Sequence, residues 1–78
     1  MYAKPTDLMQ KYSISRSMVR KIIREMKETK RYPKAAIIGT AYCLRIDTDC
    51  FQDYFENMEY LRHPNMRKYV EEYKKGGR

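Results

Sequence analysis

The stretch from Ser15 to Arg31, SRSMVRKIIREMKETKR, constrains this chain more than any other. Wound as a helix at about 100° per residue, it gathers Met18, Val19, Ile22, Ile23 and Met26 within an arc of roughly 140°. An equal arc, again roughly 140° on the same construction, carries Arg16, Arg20, Lys21, Arg24, Lys27 and Arg31, interrupted only by Ser17 and Glu28. Such a helix must seat its apolar side on a core and leave a cationic stripe in water. The remaining residues therefore have to build an apolar platform for it.

Length and charge narrow the setting. Seventy-eight residues suffice for one domain with a modest core. The net charge of +7 is confined to residues 1–34, where ten Lys or Arg face three acids; residues 35–78 carry seven of each sign. The excess coincides with the striped helix, the distribution expected where one half of a domain meets a polyanion. Two cysteines, Cys43 and Cys50, are too few for a disulfide framework, and with the single His63 they match no zinc spacing. Both are expected to be reduced, semi-buried thiols. No signal peptide and no apolar run approaching the roughly 20 residues of a membrane span are present. The expectation is a cytoplasmic, nucleoid-associated protein without membrane contact, cofactor, metal or small-molecule ligand. His63 has no Ser or Cys nucleophile beside it and no phosphate-cradling glycine loop occurs, so no catalytic residue is assigned and no enzymatic activity is expected.

Taken in order, Met1 to Lys4 reads as a lead-in. Pro5 and Asp7 suit the first turn of a helix running to Lys11 or Tyr12, with Leu8, Met9 and Tyr12 facing inward. Tyr12-Ser13-Ile14 is a turn, and Ser15 caps the long helix. Two helices joined this way form a helix-turn-helix, or alternatively a plain αα-hairpin. Tyr32-Pro33 ends the long helix. Ala36-Ile37-Ile38, a Gly39-Thr40 connection and Ala41 to Ile46 predict a hairpin, with Tyr42, Leu44 and Ile46 on one face and Cys43 and Arg45 on the other. Asp47 or Thr48 caps a third helix in which Phe51, Tyr54, Phe55 and Met58 form a buried stripe. After Leu61-Arg62 and the His63-Pro64 break, Met66, Tyr69, Val70 and Tyr73 predict a fourth amphipathic helix over Pro64 to Tyr73. It either folds back on its own domain or mediates self-association.

The order of elements, together with K-Y-S-I-S-R-S-M-V-R from Lys11 to Arg20, Ile38-Gly39, Leu44-Arg45-Ile46-Asp47 and Phe51, resembles the excisionase-like winged helix-turn-helix proteins, related in architecture to MerR-type DNA-binding domains. The resemblance spans Lys4 to about Met58. Ser13 stands where that family often has Gly, and the tip Gly39-Thr40-Ala41 lacks the basic residues many wings carry. The implied architecture is a mainly α fold with a small β-hairpin: a winged helix-turn-helix over residues 1–62, a C-terminal amphipathic helix over 63–73, and a frayed basic tail over 74–78. The resemblance further implies a phage or mobile-element protein that bends attachment-site DNA and assists an integrase in excision.

The residues themselves point to double-stranded DNA. Arg16, Ser17, Arg20 and Arg24 lie where the first turns of a helix approach base edges, and arginine contacts guanine bidentately. Lys4, Lys11, Ser15, Lys21, Lys27 and Arg31 are candidate phosphate contacts. Thr40 and Arg45 are the candidate wing contacts, Arg45 having a salt bridge to a carboxylate as its alternative. Two other readings stay open: a small phage or plasmid transcriptional regulator, and an adaptor or inhibitor docking on an acidic host protein.

Overall fold

The computed structural model describes residues 1–40, 43–71 and 73. Strand β1 (Tyr2–Ala3) leads into helix α1 (Pro5–Tyr12), then helix α2 (Arg16–Thr29), strands β2 (Ile37–Ile38) and β3 (Arg45–Asp47), and helix α3 (Thr48–Leu61). Short 3-10 turns cover Lys34–Ala36 and Pro64–Tyr69. The protein is mainly helical, with one small antiparallel sheet in the order β1-β3-β2.

Local chemistry accounts for the helix ends. Pro5 opens α1, whose first turn is held by the Lys4 N–H donating to the Asp7 carboxylate at 3.1 Å. Ser13 ends it in the left-handed conformation, φ 55°, where a Gly would sit without a Cβ clash. The Ser15 hydroxyl accepts from the Met18 N–H at 3.1 Å, so α2 starts where its cap residue dictates. The expected run to Arg31 stops at Thr29, because Lys30 turns left-handed at φ 54°. Asp47 caps α3 by accepting from the N–H groups of Asp49 and Cys50. Within α3, Asn57 departs from helical geometry, and its side-chain amide donates to the Asp53 carbonyl, the competition with the backbone that Asn brings to a helix interior.

The apolar stripe of α2 is buried as its spacing required: Val19, Ile22, Ile23 and Met26 join Leu8, Ala36, Ile46, Cys50, Phe51, Tyr54 and Leu61 in one core. Phe55 and Met58 flank it half-buried, so the stripe of α3 is only partly interior. Tyr12 packs tilted against both Phe51 and Phe55, with ring centroids 5.2 and 4.6 Å apart, fastening α1 to α3.

Three expectations are corrected. Met1 to Lys4 is more than a lead-in: Tyr2 pairs with Asp47 and Ala3 with Ile46, and the Tyr2 hydroxyl donates to the Ala35 carbonyl. Two residues carry no periodicity, so only the partner strand defines such an element. The hairpin connection is longer than Gly39-Thr40; β3 begins at Arg45, Ala36 lies in a 3-10 turn, and the Cys43 N–H donates to the Thr40 carbonyl. Ala41 and Tyr42 of the expected second strand lie outside the described residues. The C-terminal segment is a six-residue 3-10 turn, Pro64–Tyr69, rather than an α-helix to Tyr73. Its backbone is drawn in by the Arg67 guanidinium donating to the Leu61 carbonyl at 2.7 Å, and Val70 and Tyr73 then pack on the core. Tyr69 is left 65% exposed, so the four apolar residues expected on one face point apart. The tail, 74–78, lies outside the described residues.

Candidate nucleic-acid interface

Helix α2 presents Arg16, Ser17, Arg20, Lys21, Arg24, Lys27 and Glu28 to solvent, with Val19, Ile22 and Met26 beneath them. Among the described residues none of these cations is within ion-pair distance of a carboxylate, whereas two other arginines are. The fold thus divides the cations into tethered and free groups.

Arg31 belongs to the tethered group, which corrects its place on the stripe. Its guanidinium grips Asp53 bidentately, at 2.8 and 3.3 Å, while the Tyr32 hydroxyl donates to the same carboxylate at 2.7 Å. Because α2 has ended at Thr29, Arg31 turns toward α3 and its side chain is only 12% exposed. Burial of its ring, together with the hydrogen bond to Asp53 and that carboxylate's charge, outweighs the opposing Arg31 guanidinium and pushes the Tyr32 phenol well above its ordinary range, so it stays protonated.

Glu25 is the second anchor. The Arg62 guanidinium donates to it at 3.0 Å and the Tyr54 hydroxyl at 2.8 Å. Burial opposes its ionisation, but hydrogen bonds from Arg62 and Tyr54 and the charges of Arg62 and Lys21 outweigh that and hold the carboxyl below the usual range. With Glu25 turned inward, Glu28 is the one acid on α2 that faces water.

The first turns of α2 do not stand alone. Lys4 at the start of α1, Arg16 and Arg20 of α2, and Arg45 of β3 surround one groove of about 410 Å³, with Ile23 and Leu44 on its wall. Pairing of β1 with β3 is what brings Lys4 beside Arg45. Arg45 donates to the Leu44 carbonyl at 2.9 Å and meets no carboxylate among the described residues. Lys11 lies on the opposite end of α1 with its ammonium over the Tyr12 ring, 5.6 Å from the centroid. Ser15 spends its hydroxyl on the cap of α2. Thr40 is exposed on the hairpin connection.

The two thiols and the remaining acids lie away from this groove. Cys43 is exposed and Cys50 buried, so the two thiols do not share the semi-buried state expected for both. Burial pushes the Cys50 thiol up, against a hydrogen bond with Tyr73 that lowers it. Among the described residues no three His, Cys, Asp or Glu side chains stand together to hold a metal, and no helix is long and apolar enough to cross a membrane. The spacing of cationic residues announced the free stripe, and Lys4 and Arg45 were separate candidates beside it; that the two would stand together at one groove had no signal in the sequence, since it depends on strand pairing across more than forty residues. Searches against protein-family models, curated proteins and solved structures find no match for the chain.

Proposed function

We propose that the protein binds double-stranded DNA as a winged helix-turn-helix module, with α2 in the major groove. The observation that carries this reading is the convergence of Lys4, Arg16, Arg20 and Arg45 on one groove beside a helix whose outer cations are unpaired among the described residues. Surfaces maintained for solubility mix signs and have no reason to spare one set of cations from pairing while tethering another. Arg16, Ser17, Arg20 and Arg24 read base edges, and Lys4, Lys21 and Lys27 hold phosphates on either side. Arg45 reaches the backbone from the β2–β3 wing. Arg31 takes no part, being engaged with Asp53.

Within that class, the resemblance to excisionase-like proteins favours an architectural role: binding at an attachment site, bending it and steering an integrase toward excision. Excision reconstituted with the integrase should depend on the protein, and an unchanged yield without it refutes that role.

DNA binding itself is tested by anisotropy with a random duplex across a salt series. Neutralising about five phosphates gives a slope of log K against log salt near −4.5. A duplex that fails to bind at low salt sinks the reading.

A further inference from the structure

At the far end of α2 lies a second groove, of about 570 Å³, that the DNA reading does not use except at its edge. Its rim carries Lys27, Lys30 and Lys34, all exposed. Its floor is apolar: Met26 and Ala36, both buried, and half-buried Ile37. Tyr32 and Pro33 complete the wall.

The walls are held in place by bonds that do not involve the rim. The Tyr32 hydroxyl is committed to Asp53, the Ala36 N–H donates to the Pro33 carbonyl at 3.0 Å, and the Tyr2 hydroxyl clamps Ala35 from the other side. Lys30 stands over the groove because it occupies the left-handed cap of α2, a conformation Gly adopts more readily. Among the described residues none of the three lysines meets a carboxylate.

We propose that this groove docks an acidic peptide segment of a protein partner, one aliphatic or aromatic side chain entering the floor and flanking carboxylates meeting the lysines. Charge complementarity selects the occupant. The groove near Arg16 has arginines, whose planar guanidiniums suit phosphates and base edges; this one has only lysines, point charges around a concave apolar floor. A sugar-phosphate backbone has nothing to place on Met26, Ala36 and Ile37, whereas an acidic peptide with an apolar anchor satisfies floor and rim together. Lys27 belongs to both surfaces, so peptide and DNA occupancy are coupled through one side chain.

The test uses the full chain as bait for a library of random twelve-residue displayed peptides, with a Lys30→Gln/Lys34→Gln variant as the counter-bait. Both positions are exposed, and thermal denaturation of the variant verifies its fold. Enriched peptides are expected to carry Asp or Glu on both sides of one aliphatic or aromatic residue. They should bind the variant at least tenfold more weakly and shift the amides of Lys30, Lys34, Ala36 and Ile37 in nitrogen-15 spectra. Random duplex DNA should bind wild type and variant within about threefold of each other. Three results overturn the proposal: no acidic consensus, shifts confined to Arg16–Arg24, or a variant that loses duplex DNA as severely as peptide. The last assigns the groove to the DNA surface instead. Failure of the duplex to bind either protein leaves the peptide arm readable, so the two readings fail separately.

Discussion

Arginines of similar sequence context end in different employment. Arg20 and Arg31 both fall on the helical cationic arc, yet Arg20 faces the open groove while Arg31 grips Asp53. Arg20→Ala should therefore weaken a selected site more than random duplex, by the ~1–3 kcal/mol of a bidentate base contact, while Lys27→Ala weakens both alike. Equal losses for Arg20→Ala on the two DNAs, read by anisotropy, would remove its base-reading role. Glu25 allows a pH prediction. Its folded carboxyl titrates below the ordinary 4.5, so the stabilisation it provides is complete above that value and is lost as pH falls through the depressed one. Glu25→Gln should cost about 1–2 kcal/mol at neutral pH, and urea melts of the two proteins should converge in acid below the depressed value.

Among the secondary-structure elements, the caps act where their residue types predict. Ser15 and Asp47 start α2 and α3, and Ser13 makes the turn between α1 and α2 in the left-handed backbone conformation that Gly adopts most readily. These interactions span two or three residues, which is why they are legible in a sequence. The hairpin is a different case. Gly39 does sit at a turn, but at φ 95° it also lies against the far side of the connection: a Cβ there would sit 2.1 Å from the Cys43 carbonyl oxygen. Gly39→Ala should then destabilise by more than the ~1 kcal/mol of an ordinary Gly exchange and release the connection, visible as faster amide exchange at Ile38 and Arg45. The C-terminal segment shows where periodicity misleads. Met66, Tyr69, Val70 and Tyr73 fit an α-helical stripe, yet a six-residue 3-10 turn fulfils the backbone after Pro64 and sends Val70 and Tyr73 to the core.

For the whole molecule, α3 is the lid that closes helices and sheet into one core. Phe51 and Tyr54 are 0% exposed, whereas Phe55 is only half-buried beside Tyr12. Phe51→Ala should cost about 3–5 kcal/mol, a large part of the stability of a domain this small, and Phe55→Ala distinctly less. Chemical denaturation of the two variants checks the ranking; equal losses would mean that the lid is seated differently. The same closure sets up the proposed interface: α3 supplies Asp53, Tyr54 and the adjoining Arg62, the groups that fasten the flank and end of α2, and the outer face of α2 meets no carboxylate among the described residues.

Short-range chemistry written in the sequence is enough to define α1, α2 and α3, their starts, the buried stripe of α2 and the concentration of positive charge on its other side. Each of these follows from side chains within a few positions of one another. Strand β1, the length of the hairpin connection and the division of cations between structure and surface come only with the assembled fold. Arg31 meets Asp53 across 22 positions and Arg62 meets Glu25 across 37. Pairings at that separation leave no periodic trace in the chain, since they exist only once the core has brought their elements together.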